Sequence, residues 1–486
     1  MVALVALATF VSLAAHGCRP AQQPQSDTDP DAARNVELRV LVTDDAALAG
    51  AIEALAGEWK ALSGASLRVT QIAANQLRDA DAMPAQVDAV IYPSALLGTL
   101  AERDWIVPLP EGFEQNRELR WSDTFELLQV AATRWQQSAL AVPLGSPVFT
   151  CYYRPDLFER FHRRPPRTWE EYRAAAEFFG NRDNLGDAAP ADDAQWYGCV
   201  EPLAETWRGR LLLARAAAYV KHRDHYSTLF DIDTMEPRIG TAGFVRALEE
   251  LAADAKLGPE DHASLDPDAV REAFLSGRAA LALTWPAHGR GQASDSKDDP
   301  AAVGFAELSG AREVYNVADD SWERRANDQS PHVTLLSVSG RLGSVAQSAA
   351  HPEVAFQFLG WLSGKDWGAK VGSVSSASAA TTLYRRSQIR QPQPWVDAGT
   401  DIEAAQQYAT TVYDALSREQ YLFALRVPGH ERYLAALDEA VGRVLAGDTS
   451  AADALAAAGK QWQAITDELG RDAQRTAYRR SLGLEP

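Results

Sequence analysis

The stretch AVPLGSPVFTCYYRPDLFERFHRRPPRTWEEYRAAAEFF (141–179) decides how this chain is read. Its first half holds two short strand-like runs broken by Pro143, Gly145 and Pro147, residues that impose defined bends and interrupt sheet pairing. Its second half turns helical over 169–179, opened by Glu170 and Glu171, whose charges suit the positive end of a helix dipole. On the amino-terminal side, ELRVLV (37–42) is a strand-type run followed by Thr43-Asp44-Asp45, which can cap the next helix. That helix carries Leu48, Ala51, Ile52, Leu55, Trp59 and Leu62 on one face and stops at Ser63-Gly64. SLRVTQI (66–72) and VDAVIYP (87–93) are further strands, with a helix over 94–102. This β-α-β-α alternation predicts a parallel sheet covered by helices on both faces.

On the carboxyl-terminal side, helical patterns follow at 205–219, 241–255 and 268–276, then the apolar strand RAALALTW (278–285), ended by Pro286. Residues 286–300 and 310–331 are polar and rich in Gly, Asp and Ser, and read as long loops. HVTLLSVSG (332–340) reads as a strand, 351–363 as a helix, and the chain from about 402 onward as Ala-rich helix. At roughly 100–200 residues per domain, 486 residues allow about two to four domains. The 46% apolar and 23% charged content excludes wholesale disorder and a fibrous protein. A formal net charge of −19 argues against nucleic acid as a partner, since such binding needs a basic surface. The 13 Trp and 14 Tyr permit sugar binding without proving it.

Residues 2–15, VALVALATFVSLAA, form an apolar run too short to span a bilayer comfortably but of secretory length. No Lys or Arg precedes it, so the usual positive flank is missing. A polar stretch follows, from 19 to about 33, and no later segment is apolar enough to cross a membrane. Leu13-Ala14-Ala15-His16-Gly17-Cys18 resembles a bacterial lipoprotein processing site, with Ala15 and His16 departing from the usual residues. Export is therefore expected, with 1–17 as signal peptide, Cys18 as the lipidated residue and 18–35 as a tether. Cys151 and Cys199 leave two arrangements open, one disulfide or two buried thiols.

The familiar catalytic patterns are missing: no GxGxxG after a strand, no GxxxxGK[ST], no HExxH, no GxSxG. His222, Asp224 and His225 have metal-compatible spacing, but a polar loop or helix end explains them better. Tyr152-Tyr153 follow a strand, where alternating sheet packing accounts for the pair. No acid–base pair of carboxylates stands out, so no catalytic residue, cofactor or metal is assigned.

Several segments, in order, resemble the extracellular solute-binding proteins of bacterial ABC transporters, the family-1 (maltose/oligosaccharide) branch. They are ALAGEWKALSG (54–64), VDAVIYPSALLGTLAERDWIVPL (87–109), AFLSGRAALALTWPAHG (273–289), VGFAELSG (303–310), HPEVAFQFLGWLSGKD (351–366) and 434–465. The most specific is the stretch 141–179, with Tyr152-Tyr153-x-x-Asp156-Leu157-Phe158 and Pro166-x-Thr168-Trp169-Glu170-Glu171. The resemblance covers nearly the whole chain after the tether. It implies an α/β, two-lobe periplasmic-binding-protein-like fold (type II), hinged between lobes, with 36–142 plus 332–370 as lobe 1 and 143–331 plus 371–486 as lobe 2. Residues 372–382 depart from the family's Pro-containing pattern at that crossing.

Carried over by position, the ligand-facing loops supply Thr43, Asp44 and Asp45 after the first strand, Tyr92 and Ser94 after VDAVIY, and Trp285 after RAALALT. Sugar recognition needs an aromatic platform and polar groups for hydroxyls, and this set holds both. Asp44 and Asp45 serve equally as helix caps, and Tyr92 equally as sheet core. Trp207, Arg432 and Tyr433 are further candidates on poorer matches, and Trp322, in the loop 310–331, is one beyond any aligned position. The expectation is a monomeric, non-catalytic receptor, periplasmic or at the cell surface, anchored in the membrane through its lipid. It binds a carbohydrate solute between the lobes and hands it to ABC permease subunits. The competing readings are a non-sugar solute, an exported glycan-acting enzyme, and a receptor coupled to a sensor; fold resemblance by itself does not choose among them.

Overall fold

Nine strands build two sheets in the computed structural model, which describes residues 36–117, 119–191, 195–287, 302–374, 378 and 381–485. They are β1 (Glu37–Thr43), β2 (Ser66–Ile72), β3 (Ala89–Pro93), β4 (Val142–Gly145), β5 (Thr150–Tyr153), β6 (Tyr197–Val200), β7 (Ala279–Thr284), β8 (Gly304–Glu307) and β9 (Arg341–Val345). The first sheet has the order β2-β1-β3-β9-β4; β1 runs parallel to β2 and β3, whereas β9 is antiparallel to both neighbours. A strand so late in the chain, inserted between β3 and β4, means that the chain leaves this sheet and returns. The second sheet has the order β8-β5-β7-β6. The signal run, Cys18 and the tether lie outside the described residues, as does most of the expected loop 286–300.

Local chemistry explains the elements. β1 is buried on both faces, as a central parallel strand must be, with Leu38, Val40 and Val42 on one side and Leu41 on the other. The helix Ala46–Ala54 starts at Asp45, whose carboxylate accepts the Leu48 amide at 2.8 Å. Behind this sheet Trp59 packs edge-on against Phe358 at 5.4 Å and against Trp361 at 5.6 Å. In the second lobe the helix Arg208–Val220 is buried around almost its whole circumference. Ala214, Ala216, Ala217 and Ala218 let the helices Ala242–Asp254 and His430–Leu445 approach it closely.

The crossings between sheets are tight. Gly340, just before β9, has φ +134, and a Cβ there would stand 2.8 Å from the Gly145 carbonyl at the end of β4. The two crossing segments therefore touch through a glycine. β4 itself pairs within the first sheet, which extends that sheet three residues past the expected boundary at 142.

Three expectations need correction. Residues 310–331 are not a loop: Glu313–Asn316 and Ser321–Arg324 pair as an antiparallel hairpin, turned at Asp320 with φ +50. Its polar composition reflects strands with one solvated face. The expected strand 332–340 is only Thr334–Leu336, paired with Tyr421–Phe423; Ser337 at φ +61 and Gly340 break it, and the next strand is β9. That Tyr421–Phe423 strand also interrupts the carboxyl-terminal helices, Ile402–Leu416 before it and His430–Leu445, Ala451–Leu469 and Arg471–Ser481 after it. Cys151 on β5 and Cys199 on β6 are both free and buried. β7 lies between them, pairing with each, which sets the strands roughly 10 Å apart, beyond disulfide reach. The buried-thiol alternative is the observed one.

His332 is buried before the strand Thr334–Leu336, and its Nδ1–H donates to the Leu308 carbonyl at 2.8 Å. Burial, with nearby Arg418, Arg167 and Arg312, pushes its pKa down to about 4. A depressed histidine contributes stability above its unfolded value of about 6.5 and loses it as pH falls toward 4. The wild type is expected to lose about 3 kcal/mol more than His332→Gln between pH 6.5 and 4, read from urea midpoints. Parallel acid profiles for the two proteins would remove His332 from this role.

Candidate ligand-binding cleft

The carboxyl ends of β1 and β3 and the start of β9 meet at one edge of the first sheet. Asp44 stands in the left-handed region at φ +49, and its carboxylate accepts the Ala74 amide at 2.9 Å. Besides capping Leu48, the Asp45 carboxylate meets the Ser378 hydroxyl at 2.8 Å and Arg341 Nε at 3.0 Å. Arg341 Nη2 also donates to the Asp44 carbonyl at 2.7 Å, so one guanidinium from β9 closes on both aspartates. Thr43 is fully buried, its hydroxyl 3.3 Å from the Ile91 carbonyl. Tyr92 is fully buried with its hydroxyl 2.7 Å from Ser344 Oγ, and burial pushes the phenol well above its usual range. The Ser94 amide donates to the Gly340 carbonyl at 3.2 Å, and its buried hydroxyl has no partner among the described residues.

The second sheet supplies an aromatic edge. Thr150 and Thr284 are opposite each other in the β5–β7 register, and Thr150 Oγ1 donates to the Thr284 carbonyl at 2.8 Å. Trp285 follows directly, meeting Phe149 edge-on at 5.3 Å and Trp207 at 5.5 Å. The Arg210 guanidinium lies 5.3 Å from the Trp207 ring. Trp285 is held from behind: Arg271 Nη1 donates to its carbonyl at 3.2 Å. Arg271 Nε in turn lies 3.3 Å from Asp397, which also accepts the Ala287 amide at 3.3 Å. The Tyr152 hydroxyl completes this clamp at 3.3 Å from Asp397. Burial pushes the Asp397 carboxyl up to about 6, opposed by Arg271.

Tyr92 and Leu96 from the first lobe, and Phe149 and Trp285 from the second, belong to one continuous apolar cluster, with Trp207 packed against it. The structure thus brings Trp207 together with Trp285, and Thr43, Asp44, Asp45 and Ser94 together at the edge of the first sheet. Three candidates lie elsewhere. Trp322 sits on the hairpin against Tyr315 at 5.5 Å and Tyr219 at 6.1 Å, with Arg246 5.1 Å from its ring. Arg432 is half-buried on the helix His430–Leu445 and pairs with Glu468 at 2.5 Å. Tyr433 is fully buried between helices, 2.9 Å from Thr466. Arg432 and Tyr433 were nominated by position along the chain and Trp322 only by its place in the expected loop 310–331; these contacts, for all three, are with residues outside both edges. His222 and His225 bond Glu323 at 3.1 Å and Asn316 at 2.7 Å, which ties their turn to the hairpin.

The chain thus crosses between two sheets more than once, with polar groups at the end of the first and aromatic residues at the end of the second. The model of the bacterial extracellular solute-binding protein family matches residues 45–369, more than half of the chain. The chain belongs to that family. Sequence comparison with curated proteins gives no significant match. Among solved structures, an ABC-transporter solute-binding protein of Agrobacterium radiobacter K84 in complex with ribitol superposes with a TM-score of 0.62 at 18% identity. That match covers 89% of this chain and 99% of that one. Maltose-bound MalE3 of T. maritima gives 0.62 at 14%, covering 88% and 100%. The sugar-binding protein MalE of Xanthomonas citri gives 0.62 at 16%, covering 89% and 98%. These likenesses show the fold, two α/β lobes of the periplasmic-binding-protein type.

Phe149, Arg271, Arg341 and Asp397 were not legible as site residues in the chain of this family member. Phe149 sits inside the deciding stretch and reads as an ordinary strand residue. Arg271 and Asp397 carry no shared periodicity, because only the fold makes them neighbours.

Proposed function

We infer that this family member is the extracytoplasmic receptor of an ABC importer, taking a sugar, polyol or oligosaccharide between its lobes. The observation that carries the reading is Trp285, packed edge-on against Phe149 and at a tilt against Trp207, its carbonyl held by Arg271 at the end of β7. Aromatic faces suit the C–H faces of a sugar, and the Asp44, Asp45, Ser94 and Arg341 edge suits hydroxyls. Relatives of the same fold hold ribitol, maltose and D-mannitol, which supports the solute class. A ligand touching both edges favours the closed arrangement by its differential affinity, and hinge bending at the crossings delivers it to permease subunits. The receptor is a monomer and performs no chemistry on its solute.

Export and anchoring through Cys18 complete the proposal. The lipoprotein-like 13–18 sequence supports it, and among the described residues no helix is long and apolar enough to cross a membrane. Incorporation of labelled palmitate into the wild type and not into Cys18→Ser is the expected result; labelling of neither rejects the anchor.

Thermal unfolding of the Cys18→Ser mature chain against sugars, sugar alcohols, oligosaccharides and amino acids tests the solute class. A ligand at 100 times its Kd adds about 2.7 kcal/mol to the folded state. A shift with one sugar or polyol class, the compound being recovered unchanged, is expected. A panel flat for every carbohydrate overturns the reading, and recovery of a cleaved sugar transfers the protein to the enzymes.

A further inference from the structure

A cavity of about 420 Å³ opens behind the strand Tyr421–Phe423, between the 221–229 turn and the end of the helix Arg471–Ser481. None of the residues named for the cleft lines it. Its charge is unusual for a chain of net charge −19. Arg426 lines the cavity and is 2% exposed, yet among the described residues no carboxylate pairs with it. Its Nη1 donates to the carbonyls of Ala131 and Ala132 at 3.3 and 3.2 Å, and its Nη2 to Ser481 at 2.7 Å. Its Nε has no partner among the described residues. The guanidinium lies over the Phe423 ring at 3.7 Å, which gives partial compensation and no net charge.

Two more cations share this neighbourhood, also unpaired with any carboxylate among the described residues. Lys221 lines the cavity and places Nζ 3.3 Å from the carbonyls of His225 and Tyr226, leaving donor capacity over. Arg325, 5% exposed, donates to the Lys221 carbonyl at 3.2 Å and to the cavity-lining Gln420 at 2.9 Å. The buried Thr228 hydroxyl, on the same wall, has no partner among the described residues either. Two carboxylates, Asp224 and Glu419, line the same cavity from exposed positions, and Asp224 is already 3.5 Å from Arg223. A buried cation without a counter-charge is costly, and burial pushes the Arg426 pKa down to about 9. The remaining walls, Tyr421, Phe423, Leu425 and Leu482 among them, are largely apolar.

We propose that this cavity is a second ligand site, separate from the cleft, that takes a small oxyanion, a carboxylate or a phosphate monoester, carried on an apolar body. Arg426 and Arg325 supply the positive field, Lys221 and Thr228 the free donors, and the aromatic walls the complement to the body.

Isothermal titration of the Cys18→Ser mature chain at low ionic strength tests this with benzoate and phenyl phosphate, benzyl alcohol being the neutral comparison. Both anions are expected to bind, more weakly as salt is added, and benzyl alcohol is not. Lys221→Gln is expected to weaken both anions about tenfold or more, since a hydrogen bond to a charged group is worth that much. Trp285→Ala is expected to leave them unchanged, which separates this site from the cleft whatever solute the cleft takes. Arg426→Met is a second probe; should it not fold, Lys221→Gln decides alone. Benzyl alcohol binding as tightly as the anions, no anion binding, or affinities indifferent to Lys221→Gln each overturn the proposal.

Discussion

Trp285→Ala is expected to raise the Kd for the carbohydrate ligand by at least about 30-fold, the equivalent of roughly 2 kcal/mol, with the fold retained. Trp285 is 9% exposed and packed between Phe149, edge-on, and Trp207, tilted, so truncation removes the centre of the aromatic wall and loosens both neighbours. Trp285→Phe keeps a ring in the clamp and is expected to lose no more than about tenfold. Trp322→Ala is the control: that ring lies on the hairpin against Tyr219 and Tyr315 and is expected to change affinity by less than twofold, roughly the scatter of substitutions away from a site. Titration of the three variants with the sugar identified by thermal shift reads the result. Loss of binding on Trp322→Ala with none on Trp285→Ala would place the ligand elsewhere.

Asp254→Ala is expected to destabilise the fold by about 3–5 kcal/mol, seen as a lowered urea midpoint with an unchanged slope. Arg215 is fully buried in the middle of the helix Arg208–Val220. It donates to Asp254 at 2.6 Å, with Glu201 more distant at 3.3 Å and the Trp169 ring at 4.0 Å. Asp254 also holds Arg173 at 2.5 Å, so its removal leaves one buried guanidinium short of charge and a second unpaired. The penalty comes from the uncompensated charge more than from lost packing. The triple variant Glu201→Gln, Arg215→Met, Asp254→Asn is therefore expected to be more stable than Asp254→Ala alone. Burial pushes the Glu201 carboxyl above its usual range, so its charged form is the less favoured one in the fold. A raised carboxylate loses its contribution as pH rises, so Glu201→Gln gains on the wild type from pH 5 to pH 8. A triple variant no better than Asp254→Ala would mean that shape, and not charge, holds this helix in place.

The chain alone determined the fold class and most of the elements. β1 to β3, β7 and the helices of the second lobe repeat apolar residues at the periods that a buried strand or a one-faced helix requires, and the bends at Pro143, Gly145 and Pro147 mark the first crossing. Trp285 was nominated for the cleft by its position in the family resemblance, at the end of an apolar strand and before Pro286. The hairpin 313–324 was not, because strands with a solvated face lack an apolar run, nor was β9, hidden behind the break at Ser337 and Gly340. Only the tertiary structure decided which groups share a site. The Asp45–Arg341 and Arg271–Asp397 contacts join residues far apart in the chain, and Arg215 and Arg426 in the core look in the sequence like any solvated arginine. Periodicity records which face of an element is apolar; it carries no record of which distant charge that face will meet once the sheets close.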